Sequence, residues 1–194
     1  MHNLASLYKA IGRSADALPL CERALSISEK ALGPEHMSTA MTLNNLACVY
    51  KDLGGCQADA LPLFERALSI REKALGAEHP KTCTSLDSLA VVFSDMGRHS
   101  DALPRYERAL ALRERVLGPA HPSTSTSLNN LALLYLDMGR HADALPLFER
   151  ALSIREKALG LEHPDTDLTR KALASLYDAM GDFEGAAAVN ARAS

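Results

Sequence analysis

Seven histidines, four cysteines and a periodic set of carboxylates and guanidinium groups are the residues of this 194-residue sequence whose types could do chemistry. Histidine and cysteine hold a metal when three or four of them converge on one ion. Four of the histidines instead recur at long, even intervals: His36, His79, His121 and His163 are separated by 43, 42 and 42 residues. Such spacing spreads them out, one to each repeat of the chain. Each stands just ahead of an apolar periodic segment, where a polar side chain caps a helix start, so capping is expected and a metal site is not. Cys21, Cys48, Cys56 and Cys83 form no Cys-x-x-Cys pair, and the expectation is free thiols in a reducing compartment. Glu22, Glu65, Glu107 and Glu149 recur beside Arg23, Arg66, Arg108 and Arg150. Paired catalytic carboxylates must meet in one pocket, and repetition keeps these apart, so they read as a solvated or interhelical charged stripe. Zinc-protease, nucleophile-elbow, dinucleotide and phosphate-loop motifs are all missing from the sequence. The expectation is a protein that is not an enzyme, with no catalytic residues, no metal and no cofactor.

The elements that position these residues are set by internal repetition. Residues 58–76 and 142–160 are identical over 19 positions. The pairs Leu46-Ala47, Leu89-Ala90, Leu131-Ala132 and Leu173-Ala174 are each followed by an aromatic residue, Tyr50, Phe93, Tyr135 or Tyr177, and then by Gly54, Gly97, Gly139 or Gly181. The one interval of 43 is explained by an extra residue around Gly55-Cys56, and insertions in repeat arrays land in loops. The chain divides into units of approximately 1–35, 36–78, 79–120, 121–162 and 163–194, the first and last incomplete, within a single repeat domain spanning 1–194.

Each unit reads as two helices. Leu128, Leu131, Ala132 and Tyr135 fall at i, i+3, i+4 and i+7, one apolar stripe at helical period. Asp137-Met138-Gly139-Arg140 closes that helix, with Gly139 as a left-handed C-cap. The second helix directs Ala144, Leu145, Phe148, Ala151, Leu152 and Leu159 inward. Pro19, Pro62, Pro104 and Pro146 are expected near its first turn, where a missing N–H costs little. The spacing predicts helices over 1–11, 14–32, 37–53, 57–75, 80–96, 99–117, 122–138, 141–159, 164–180 and 183–193. Composition agrees: 32 Leu and 31 Ala against 5 Val and 4 Ile favour helix over strand. Short loops make neighbours antiparallel. One helix pair cannot bury its stripe alone, so stacked pairs share a core. The fold class expected is all-α, an α-solenoid of about five antiparallel helix pairs.

Charge narrows the function. Lys plus Arg total 21 against 24 Asp plus Glu, a net of −3, so nothing in the composition favours nucleic acid. No apolar run reaches the roughly 18–20 residues that span a bilayer, and the N-terminus lacks a signal-peptide pattern. A cytoplasmic location is expected.

The pattern Leu-x2-Leu-Ala-x2-Tyr/Phe followed by Ala-x3-Phe/Tyr resembles the tetratricopeptide repeat. It occurs as Leu43, Leu46, Ala47, Tyr50, Ala60, Phe64, then as Leu86, Leu89, Ala90, Phe93, Ala102, Tyr106, and again as Leu128, Leu131, Ala132, Tyr135, Ala144, Phe148. The 42-residue step and the bridging LG-x-EHP-x-T segments resemble the kinesin light chain subtype. The resemblance implies a right-handed superhelix whose first helices line a concave wall that binds a peptide. By that analogy Asn3, Asn45, Ser88 and Asn130, with Ala172 in the last unit, form a ladder of peptide-binding positions; Asn44 and Asn129 adjoin it. An amide both donates and accepts, so it can pair with a peptide backbone whatever its side chains. Lys9 and Lys51, six residues beyond their ladder positions, could attract an acidic peptide, although lysines in a last helical turn also favour the helix dipole. The carboxylate clamp of chaperone-tail binders is not expected, since of His2, Ser6, Asn45, Thr84 and Ser88 only Asn45 matches it. The function expected is a non-catalytic interaction scaffold or adaptor holding a peptide segment of a protein partner. Two alternatives stay open: a module that self-associates through poorly capped ends, and the regulatory sensor part of a larger enzyme or signalling ATPase.

Overall fold

The computed structural model describes residue 8 and residues 12–54 and 56–192. Among these described residues there are nine helices and no strand: α1 Ser14–Leu32, α2 Met37–Asp52, α3 Gln57–Leu75, α4 Pro80–Asp95, α5 His99–Leu117, α6 Pro122–Asp137, α7 His141–Leu159, α8 Pro164–Ala179 and α9 Phe183–Ala191. The helix expected over 1–11 lies outside the described residues except at Tyr8, which is helical. The four long helices α1, α3, α5 and α7 have the expected bounds. The shorter α2, α4, α6 and α8 each stop one residue early, because Leu53, Met96, Met138 and Met180 are C-caps.

The stop is built by glycine. Gly97 and Gly139 both take φ of 70°, which other residues adopt only at a cost. That turn lets Arg98 N–H donate to Phe93 O at 2.8 Å and Gly97 N–H to Ser94 O at 2.8 Å, satisfying two terminal carbonyls. The Gly139-Arg140 turn repeats both bonds, to Tyr135 and Leu136. The arginine then folds back: Arg140 lies over the Tyr135 ring at 4.4 Å and its Nε donates to Asp143 at 2.7 Å.

The other turn is built by histidine and threonine. Nδ1 of His36, His79, His121 and His163 accepts from the backbone N–H two residues on, at 3.1 Å in every case. The expected helix capping is what these side chains do. Thr39, Thr82 and Thr124, each buried, donate to the carbonyls of Gly33, Gly76 and Gly118 at 2.8–2.9 Å. Pro80, Pro122 and Pro164 open α4, α6 and α8. Pro19, Pro62, Pro104 and Pro146 depart from expectation: they lie inside their helices, beyond the first turn. The helices run on because these prolines are exposed, so water can reach the carbonyl that loses its N–H partner.

The helices form two compact units, residues 1–105 and 106–194. In the first, α2 packs on α1 and α3, and α3 on α4. Leu46 and Val49 of α2 meet Ala17 and Cys21 of α1, while Ala40 and Leu43 meet Ala67 and Ile70 of α3. In the second, α6 packs on α7, α7 on α8, and α8 on α9. Phe148 and Leu152 of α7 are fully buried among Ala132, Leu173, Leu176 and Val189. Alanines at 0% exposure recur at these crossings and let the axes approach closely. Leu159, expected inward, is 37% exposed, since the last residue of α7 projects past the core.

The charged stripe is interhelical. Arg66 of α3 pairs with Glu29 of α1 at 2.6 Å, and Arg150 of α7 with Glu114 of α5 at 2.6 Å. Tyr50 donates to Glu22 at 3.2 Å and Tyr177 to Glu149 at 2.5 Å. These groups tie successive long helices together, or a long helix to the next short one, and do not share a pocket.

Candidate peptide-binding face

The helices α2, α4, α6 and α8 follow the histidine caps and keep one stripe out of the core. Its positions step by three and four residues, as a single helix face requires. In the first unit it runs Ser38, Met41, Asn45, Cys48 on α2 and Lys81, Thr84, Ser88, Val91 on α4, every one exposed or half-buried. In the second it runs Ser123, Thr126, Asn130, Leu133 on α6 and Asp165, Leu168, Ala172, Ser175 on α8, again exposed or half-buried throughout.

The ladder positions Asn45, Ser88 and Asn130 all fall on this stripe. The Asn45 and Asn130 amides have no hydrogen-bond partner among the described residues, whereas the Ser88 hydroxyl donates to Thr84 O of its own helix at 3.0 Å. The adjoining asparagines face differently, one helical step of about 100° away. Asn129 accepts from Thr169 of α8 at 3.2 Å, an interhelical tie. Asn44 donates weakly to Cys48 Sγ at 3.8 Å, and its buried Oδ1 has no partner. Lys51 is half-buried in the last turn of α2, where it complements the helix dipole. Asn3 and Lys9 lie outside the described residues.

Two features of the face were not found from sequence. Met41, Leu133 and Leu168 expose 45%, 43% and 64% of their surface along these stripes. The helical spacing about Asn45 and Asn130 contained that signal. The second is a set of buried arginines, Arg71, Arg113 and Arg155, only 7–8% exposed, behind the open helices. Arg71 bonds Ser85 Oγ, and Arg155 bonds Thr169 Oγ1 and, at 2.8 Å, Asp165 O. Burial pushes both guanidinium groups down from their usual range, since desolvation disfavours the charged form. Arg71 also floors a cavity of about 270 Å³ between the first turns of α2 and α4, lined besides by Met37, Ser38, Met41, Lys81 and Thr84.

Each unit thus carries one stripe amide, Asn45 on α2 and Asn130 on α6, with exposed aliphatic side chains on α2, α6 and α8. A family model described as tetratricopeptide repeat matches residues 1–58, 55–115, 96–157 and 123–194. The chain belongs to the tetratricopeptide repeat family. The nearly identical TPR-like repeats of a kinesin light chain-like protein from Podosopora anserina share 30% identity, at a TM-score of 0.83 over 99% of this chain and 90% of that one. BtubC (BKLC) from P. vanneervenii shares 28% identity, at a TM-score of 0.83 over 98% of this chain and 75% of that one. Aspartyl phosphate phosphatase F from Bacillus subtilis, at 15% identity and a TM-score of 0.83, shares the fold alone; the match covers 97% of this chain and 47% of that one. No curated protein matches significantly. The repeats are thus of the kinesin light chain-like kind, and the fold is a tetratricopeptide-type helical solenoid, which serves generally as a protein–protein interaction scaffold. No helix among the described residues is long and apolar enough to cross a membrane.

Proposed function

We propose that this chain is a non-catalytic, cytoplasmic adaptor whose short helices hold a peptide segment of a partner protein along the open stripes of its units. The observation that carries the reading is the state of Asn45 and Asn130: two half-buried amides at the same position of two repeats, with no hydrogen-bond partner among the described residues. Half-buried amides still reach water, and a peptide backbone can take that water's place with both a donor and an acceptor. Met41 and Leu133 on the same helix faces, and Leu168 on α8, offer apolar contact for the peptide's side chains. Asn129, bonded to Thr169, drops from the recognition set and takes an interhelical role. An array of partner-derived peptides should yield linear ligands, and the pair Asn45→Ala and Asn130→Ala should weaken them by about tenfold or more, as loss of two or more hydrogen bonds requires. Unchanged affinity in that double variant removes the ladder.

A second reading, self-association, has one observation in its favour. Phe183 at the start of α9 exposes 70% of its surface and Met180 just before it 44%. Light scattering over a concentration series decides this: a mass that stays monomeric ends it, and a dimer lost on Phe183→Ser supports it.

A further inference from the structure

We propose that the cavity between the first turns of α2 and α4 receives the phosphate group of a phosphorylated side chain on the partner peptide. This rests on the peptide-binding reading and adds the chemistry of one subsite. Its lining holds two cations, Arg71 and Lys81, two hydroxyl residues, Ser38 and Thr84, and no carboxylate. The decisive observation is that Arg71 is short of acceptors. It is 8% exposed, its Nε has no partner among the described residues, and Nη1 reaches Ser85 Oγ and, at 3.4 Å, Lys81 O. Arg155 stands at the same place in an identical 19-residue segment, yet its Nε is engaged: it donates to Ser125 Oγ at 3.3 Å, while Nη1 donates to Asp165 O at 2.8 Å and to Thr169. The residue matching Ser125 near Arg71 is Ala40, which accepts nothing from a side chain. A buried guanidinium left in deficit is stabilised by an anion that enters beside it.

The rest of the lining suits a phosphate. Lys81 adds a second positive charge where the second unit has Asp165. The cavity adjoins the N-terminal ends of two helices, whose dipoles favour negative charge. Donors stand on three helices, α2, α3 and α4, around one space. A tetrahedral group with three strongly accepting oxygens can bond in three directions at once, which a planar carboxylate does not match. Met37 and Met41 form the apolar flank against which the neighbouring peptide residue packs.

The test uses the whole chain and three acetylated, alanine-rich heptapeptides that differ only at the centre: serine, glutamate or phosphoserine. Fluorescence anisotropy should give the phosphoserine peptide an affinity at least about tenfold above the serine peptide, the scale of one added charge-assisted bond. Amide NMR shifts should centre on Ser38, Lys81 and Thr84. Arg71→Ser copies the residue at position 28, and Lys81→Asp copies position 165; each should abolish the phosphoserine gain. Lys81 is exposed, so its variant keeps the test decisive should Arg71→Ser unfold. Equal affinity for the glutamate peptide overturns the assignment in favour of a carboxylate, and a gain that survives Lys81→Asp overturns the site. Inorganic phosphate that binds as tightly as the phosphopeptide overturns the partner as its source. If array peptides bind through Asn45 and Asn130 but phosphoserine adds nothing, this inference fails and the scaffold reading stands. If phosphoserine binds here and the asparagine variant changes nothing, the ladder fails and the inference stands.

Discussion

Replacing the histidine at one interrepeat turn should cost a definite amount of stability, and asparagine should restore most of it. His121 Nδ1 accepts from Ser123 N–H at 3.1 Å, and His36, His79 and His163 make the same bond. The first N–H groups of a helix have no intrahelical partner, so His121→Ala returns one of them to water and frees the turn. Loss of a capping side chain costs about 0.5–2 kcal/mol, typically ~1. For a chain of this length that is a fall in Tm of about 2–4 °C. The four caps lie one repeat apart and share no partner, so the four replacements together should approach ~4 kcal/mol. Urea unfolding followed by far-UV circular dichroism measures this in His121→Ala, His121→Asn and the fourfold alanine variant. Asparagine presents an acceptor oxygen at the same place and should recover most of the loss. The reasoning is refuted if alanine matches the wild type, or if asparagine does no better than alanine. A histidine that served a metal would behave otherwise, since asparagine would not replace it.

Three further outcomes follow from single residues. The phenol of Tyr177 is pushed up to about 12, first by its bond to Glu149, then by burial and by the charge of that carboxylate. A raised value means that the protonated form stabilises the fold, so this contribution is whole below pH 10 and vanishes as pH rises through about 12; absorbance at the phenolate band should place the transition there and Glu149→Ala should lower it. Gly139 holds φ of 70° with nothing within 4 Å of an added Cβ, so Gly139→Ala should cost only the backbone strain, about 1–2 kcal/mol by chemical denaturation. At Gly185 the backbone is relaxed but crowded: a Cβ would lie 2.8 Å from Tyr177 Cδ1, so Gly185→Ala should loosen α9 from α8, with faster amide exchange confined to α9.

What could be read from the sequence was local. Gly97, Gly139 and the four histidines act within four or five residues along the chain, so their spacing carried their role. The proline departure is local too: the spacing already started α7 at His141, which makes Pro146 its sixth residue, past the first turn. The harder cases depend on where a helix face points after packing. Asn129 and Asn130 are chemically the same and one position apart, yet one bonds α8 and the other has no partner among the described residues. Arg71 was invisible for a different reason. A lone arginine after an apolar run reads as a solvated charge, and its burial depends on Ser85 of the next repeat and on what it fails to find at position 40.

That failure can be reversed by a single atom. Residues 58–76 and 142–160 are identical, and Gln57 and His141, where α3 and α7 differ, lie about four turns away, so the helices themselves do not make Arg71 and Arg155 differ. The difference must come from the short helices facing them, where Ser125 accepts from Arg155 Nε at 3.3 Å and Ala40 stands in the matching place, fully buried. Ala40→Ser adds one oxygen at a position where the second unit already accommodates it. It should supply the missing acceptor, and the fold should change by no more than about 1 kcal/mol, the net value of a hydrogen bond. Phosphoserine binding should nonetheless fall, because a satisfied guanidinium gains less from an incoming anion than one in deficit. A variant as stable as the wild type that binds the phosphopeptide equally well would show that Arg71 contributes charge alone, and that its unmet bond is not what makes the cavity receptive.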